Sequence, residues 1–336
     1  MHVTATLEDA EALSSAAAEL IACEPHVPYA NFAPLTGRAD SLLRIHRARL
    51  AGASAAIVAR DAGGRPLAVA ALDRRPFESN HFGIEMARID QPLATDDVNA
   101  RASALEMVYR AALELAGERG YRHLAARAST RDPAAGWVLQ RLGATHVDTQ
   151  VSWMATLDGE RRGTPPAPSL RVAALEREEL AALPPTAWRR LGEWAREGFD
   201  RGPLIFDFDL PRETSQTLYA AWTDKVMSGE WADAALVAFD GDEVVAFISM
   251  LTIDDLSEEA GAVVCGRGLG ATLPDYKGLF TALQHEMVAV RPLGAAFMEN
   301  ETQVATVASI NVYAKLGFRY LRSTSTFHLN IDRGSA

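Results

Sequence analysis

The chain has 336 residues, 48% of them apolar and 23% charged, which excludes disorder, collagen and a coiled-coil rod and suggests two domains of ordinary size. A formal net charge of -11 argues against nucleic acid and anionic membranes as partners, because phosphate binding needs clustered Lys and Arg. No apolar run is long enough to cross a bilayer, no signal-peptide pattern opens the chain, and Cys23 and Cys265 are too few for a disulfide framework or a zinc site, so the expectation is a soluble cytoplasmic protein, monomer or homodimer.

In chain order, 56–72 (AIVARDAGGRPLAVAAL) reads strand, glycine turn, strand. A helix over 103–119, a strand over 124–128 and a helix over 136–143 (GWVLQRLG) follow, then a strand carrying Trp153. The polar, Pro-rich stretch 158–169 (DGERRGTPPAPS) suits a linker. Beyond it the order repeats: a hairpin at 236–250 (LVAFDGDEVVAFISM), a helix over 279–290, a strand over 295–299, a helix at 310–317 (INVYAKLG) and a strand carrying Phe327. The pattern predicts two copies of one α/β unit, each a mixed, mostly antiparallel sheet flanked by helices: 1–160, a linker at 161–170, and 171–336.

In the second copy, 270–283 reads GATLPDYKGLFTAL: a strand stops at Pro274, turns through 275–278 and enters a helix. Such an entrance presents unpaired N–H groups and the positive end of the helix dipole, which suits a pyrophosphate. The segment resembles motif A of the Gcn5-related N-acetyltransferases (GNATs), whose Q/RxxGxG/A loop holds the pyrophosphate of acetyl-CoA. Gly278 then matches the first glycine, Phe280 falls where a second small residue is usual, and Asp275 falls where Arg or Gln is usual, with Lys277 able to restore a positive charge. Similarly 309–318 (SINVYAKLGF) resembles the family's closing helix, with Tyr313 at the tyrosine that points at the thioester sulfur and Thr306 where Asn is common.

The resemblance implies two tandem GNAT-like domains, an N-acetyltransferase activity and acetyl-CoA as co-substrate, with no metal. It places Ala271, Thr272 and Leu273 along the pantetheine, Lys277, Gly278, Leu279, Phe280, Thr281 and Ala282 at the diphosphate, and Thr306 and Ser309 on the closing helix. In the first copy Leu139 takes the tyrosine position, Ala144 that of Phe318, and 90–104 (DQPLATDDVNARASA) has no glycine, so this copy reads as degenerate and the second as catalytic. A narrower resemblance, over 188–238, to TDP-fucosamine acetyltransferase and related amino-sugar N-acetyltransferases extends to 77–90 (FESNHFGIEMARID), similar to that group's FFG-containing strand pair. It implies a nucleotide-linked amino sugar as acceptor; another small amine, or a non-catalytic acyl-CoA-binding role, stays open.

In this scheme an amine attacks the thioester directly in a ternary complex. Tyr313, whose ordinary pKa is about 10, donates to the departing sulfur. Glu299 reads either as the base or as a surface carboxylate capping the next helix. Asp207, Asp209 and Gln303 are acceptor-binding candidates, while Trp188, Trp194, Phe199, Phe206, Phe208, Tyr219, Trp222 and Trp231 either stack on a sugar or fill the helix–sheet interface. On the closing helix, Ala308, Val312 and Leu316 form the expected core stripe. The run GRGLG at 266–270 lacks dinucleotide-fingerprint spacing and is followed by Thr-Leu-Pro, and His285-Glu286 lacks the second histidine of a zinc-protease motif.

Overall fold

The computed structural model describes residues 4–7, 10–23, 27–51, 53–160, 166–167, 169–199 and 202–331. The chain divides into two compact units, Met1–Val151 with Arg322–Ala336, and Ser152–Leu321.

The first unit begins with β1 (Thr4–Leu7), α1 (Ala10–Cys23), α2 (Ala39–Ala51), β2 (Ala55–Arg60) and β3 (Pro66–Arg74). It continues through α3 (Pro76–Phe82), β4 (Met86–Ala94), α4 (Val98–Glu118), β5 (His123–Ser129), α5 (Pro133–Arg141) and β6 (Thr145–Thr156), whose last residues belong to the second unit. Strands β1 to β4 pair antiparallel in chain order, and β4 pairs parallel with β5. The α4 and α5 side chains Ala104, Leu105, Val108, Tyr109, Val138 and Leu139 bury one sheet face, which presents Ile57, Leu72, Ile89, Leu124 and Phe327.

The second unit holds β7 (Arg171–Glu176), α6 (Arg177–Ala181), α7 (Arg189–Gly198), α8 (Arg212–Met227), β8 (Ala234–Asp240) and β9 (Glu243–Thr252). After these come α9 (Asp254–Ala260), β10 (Val264–Thr272), α10 (Leu279–Val290), β11 (Phe297–Gln303), α11 (Val307–Lys315) and the start of β12 (Arg319–Asn330). Strands β7 to β10 pair antiparallel in order, and β10 pairs parallel with β11. Each copy thus has the expected mixed, mostly antiparallel sheet, with its parallel pair at the strand–helix–strand crossover.

The units are not the two linear halves. The closing strand β12 pairs antiparallel with β5, from Thr324↔Ser129 to Asn330↔His123, and so completes the first sheet. In the second unit the end of β6 lies beside β11, and Leu157 N donates to Ala296 O at 2.8 Å. The 161–170 linker is only partly visible, since 161–165 and 168 lie outside the described residues. Residues 77–82 are helix α3 rather than strand: Pro76 opens the helix without needing an N–H partner, and Gly83 ends it. The GRGLG run lies within β10, as its rejection as a nucleotide fingerprint requires.

Candidate functional site

The site is built around a fork between two parallel strands. Pairing of β10 with β11 covers only Val264↔Phe297, Cys265↔Met298 and Gly266↔Glu299, although β10 runs on to Thr272 and β11 to Gln303. The divergence coincides with a bulge of β10 against β9 between Arg267 and Gly270. There the Ser249 hydroxyl replaces ladder partners, donating to Leu269 O and accepting from Leu269 N, both at 2.9 Å. Gly268 is required opposite it, because a Cβ would stand 2.6 Å from Ser249 Oγ.

At the open end, β10 passes through Leu273 into a tight turn and then α10. Tyr276 N donates to Leu273 O at 3.0 Å and Leu279 N to Tyr276 O at 3.1 Å, while Tyr276 Oη donates to Asp240 Oδ2 at 2.7 Å. Gly278 caps α10 with φ +82° and no side-chain cap, and a Cβ there would meet nothing within 4 Å. The entrance to α10 is therefore open at Gly278, with the positive dipole end uncapped by any side chain. Asp275, at the position where the resemblance wants Arg or Gln, is paired by Arg190 of α7 at 2.5 Å, and Arg190 also reaches Glu243 at 3.4 Å. Lys277 is exposed beside this turn.

Phe280 does not lie in the turn. Its Cε2 would be 2.9 Å from a Cβ at Gly270, so the ring packs against the β10 backbone from the α10 side. The small residue that the resemblance places on the helix is thus matched by a glycine on the strand, which makes room for the ring. Ala271, Leu273 and Leu279 are buried, whereas Thr272, Thr281, Ala282, Thr306 and Ser309 are half-buried. Thr306 Oγ1 donates to Gln303 Oε1 at 3.5 Å.

Alternation along β11 sorts its polar residues. Asn300 meets Gln284 of α10, so Glu299, Glu301 and Gln303 face the opposite side of the sheet. Glu299 is 6% exposed and sits where the parallel pairing ends, and Ser152 donates to Glu301 Oε1 at 3.3 Å. Glu299 is therefore not a surface carboxylate.

Tyr313 is fully buried and packs on Phe318, with centroids 5.3 Å apart. Of the expected stripe, Leu316 is buried and Val312 packs against the core, but Ala308 is exposed and Tyr313 joins the core instead, because nine-residue α11 docks through its last turns. Val304, in the turn before the helix, and Val307, its first residue, are 51% and 61% exposed. Cys265 is buried, and burial followed by the charge of Asp233 pushes its thiol up to about 11, which makes it a poor nucleophile. The Cys23 side chain lies outside the described residues.

The aromatic segment is chiefly a packing ladder. Phe199 stacks on Tyr219 at 4.7 Å, Tyr219 on Trp222 at 6.0 Å, and Trp222 meets Trp231 edge-on at 6.1 Å. Trp188 is buried and its Nε1 donates to Asp224 at 3.3 Å. Asp207 is also buried and shapes its loop by accepting from Asp209 N at 3.0 Å, while Asp209 and Phe208 are exposed.

A forked parallel pair, a bulged strand and a glycine-capped crossover helix define the class: the chain has the fold of the GCN5-related N-acetyltransferases, in its tandem form. A GCN5-related N-acetyltransferase from Sphaerobacter thermophilus superposes with a TM-score of 0.61 at 14% identity, covering 98% of this chain and 96% of that one. A tandem GNAT protein from the clavulanic acid biosynthesis pathway gives 0.53 at 15% identity, covering 98% and 99%. The glucosamine N-acetyltransferase region of a fungal multi-domain GH3 β-N-acetylglucosaminidase gives 0.58 at 12% identity, over 98% of this chain and 38% of that one. No family model and no curated protein sequence matches the chain.

Proposed function

We propose that the second unit is an acyl-CoA-dependent N-acyltransferase, with acetyl-CoA as donor and the primary amine of a small molecule as acceptor. The observation that carries this reading is the fork: β10 and β11 part after Gly266↔Glu299, and an uncapped α10 begins at the open end. The residues suit the coenzyme. Main-chain N–H groups at the entrance to α10, other than those of Leu279 and Ala282, which already donate to Tyr276 O and Gly278 O, would take its diphosphate with Lys277 and Arg190 nearby, Ala271 to Leu273 would run beside its pantetheine, and exposed Val304 and Val307 would meet its apolar arm. When bound, the coenzyme supplies an activated acyl group.

This chain's contribution is then positioning and proton management. Holding amine and thioester near attack geometry removes about 7 to 11 kcal/mol of barrier. Glu299, on the sheet face away from α10, takes the ammonium proton, directly or through water, and Tyr313 supplies one to the departing sulfur. An amino sugar, free or nucleotide-linked, is the acceptor we favour. The support is the narrower sequence resemblance and the fold shared with a glucosamine N-acetyltransferase region. Direct transfer is preferred to an acyl-cysteine because the Cys265 thiol is held at about 11.

One observation favours a second reading, a non-catalytic acyl-CoA-binding protein: Tyr313 is fully buried. Thiol release from acetyl-CoA with a panel of amino sugars, polyamines and other small amines separates the two. Steady, amine-dependent release that falls steeply in Tyr313→Phe with coenzyme binding intact supports the transferase. Tight coenzyme binding without release under any amine overturns it in favour of the binder.

A further inference from the structure

Under α10, where the fork closes, two side chains of the second unit form an incomplete pair. Gln284 and Asn300 are both 0% exposed. Asn300 Nδ2 donates to Gln284 Oε1 at a long 3.4 Å, and Gln284 Nε2 and Asn300 Oδ1 are left without a partner. Gln284 interrupts the apolar face that Leu283, Met287 and Val288 make against the sheet, so a Leu or Met would be the ordinary occupant. A buried polar atom left unbonded loses its hydration without return. Here one donor and one acceptor stand beside each other at Asn300, the first β11 residue past the paired segment.

We infer that Gln284 and Asn300 form a subsite for a secondary amide, Gln284 Nε2 donating to its carbonyl and Asn300 Oδ1 accepting from its N–H. The inference rests on the coenzyme reading above, in which the amide belongs to the pantetheine arm. A secondary amide offers one acceptor and one donor in fixed relation, the complement of the two orphaned atoms. The diphosphate grip at Gly278 lies at the other end of the fork, so the two contacts hold the arm at separate points and set how deep the thioester reaches. Both residues are positioning residues, acting on the carrier rather than on the reacting atoms.

The test uses the full chain with Gln284→Met, Asn300→Leu and the double variant. Thermal unfolding is measured beside calorimetric titration with CoA, which carries the amides, and with ADP, which carries the diphosphate and adenosine without them. The expected result is a double variant at least as heat-stable as wild type, because apolar replacements remove two orphaned groups, with CoA affinity down about tenfold and ADP affinity unchanged. A lower melting temperature with CoA affinity intact overturns the subsite and makes the pair a structural cross-link. An equal loss for CoA and ADP also overturns it, since the defect then lies in the diphosphate grip. A wild-type chain that binds neither probe refutes the coenzyme reading itself, a failure distinct from a wild type that binds CoA and a variant that binds it equally well.

Discussion

Gly278→Ala isolates the turn on which the coenzyme reading depends. Gly278 has φ +82° and open space where a Cβ would go, so the substitution adds no clash and acts through the backbone alone. An L-residue held in the left-handed region costs about 1–2 kcal/mol. At about 2–4 °C per kcal/mol for a domain of this size, the melting temperature should fall by about 2–8 °C. Whatever part of this strain the free turn relieves by moving toward negative φ must be restored on coenzyme binding, so the melting temperature falls less and affinity weakens, by up to about 30-fold where the turn relaxes fully. Gly64 provides the control: it turns the β2–β3 hairpin of the first unit with φ +83° and equally open space. Gly64→Ala should lower the melting temperature similarly and leave CoA affinity unchanged. Equal CoA dissociation constants for the two variants in calorimetry would refute the assignment of the diphosphate to this turn.

Three further outcomes are expected. Glu299→Gln should remove the acid limb of the pH–rate profile and lower turnover, and a profile identical to wild type ends the case for Glu299 as base. Burial lowers the His285 pKa from its ordinary 6.5, so the unfolded chain takes up the proton first and this site's stabilising effect is lost as pH falls below 6.5. The melting temperature of His285→Gln relative to wild type should therefore rise as the pH is lowered from 7 through 6.5, and a constant difference in scanning calorimetry contradicts this. In the first unit Arg101 and Asp132, 7% and 5% exposed, pair at 2.6 Å, so Asp132→Ala should cost about 3–5 kcal/mol in urea titration, with less than 1 kcal/mol showing that the buried charge finds another partner.

What the sequence revealed was whatever is encoded locally. Both hairpins follow from apolar runs broken by Asp-Gly chemistry, and α10 begins and ends where its glycine and apolar pattern indicate. The exchange of closing strands was not legible, because nothing within RYLRSTSTFHLN states that β5 is its partner. Phe280 looked like a defect in the phosphate loop because its compensation, Gly270, lies ten residues upstream and meets it only in the fold. Tyr313 was legible as a motif position but not as a core residue, since a stripe drawn from Ala308 assumes that the whole of α11 docks. The Gln284–Asn300 pair shows in the sequence only as a glutamine inside an apolar helix face, because Asn300 meets it across the fold.

The repeat itself supplies an internal comparison that bears on the proposed coenzyme site. In both units a bulged strand pairs in parallel with the next strand over only part of its length and then enters a crossover helix: β4 into α4, β10 into α10. The helix entrances differ in charge. At α4 the Asp97 carboxylate accepts from Asn99 N at 2.9 Å and from Ala100 N at 3.4 Å, placing a fixed negative charge where a diphosphate would need to sit. Arg101 then turns inward to Ala94 O, Thr95 O and Asp132 and takes up the neighbouring carbonyls. An incoming anion would have to displace Asp97 from its own helix and overcome repulsion from it. At α10 the corresponding residue is Gly278, with no side chain to occupy the entrance and a backbone turn already pinned by Tyr276 and Asp240. The same topology is therefore self-capped in one unit and open in the other, which supports a coenzyme site in the second unit and a first unit that keeps the fold without the phosphate grip.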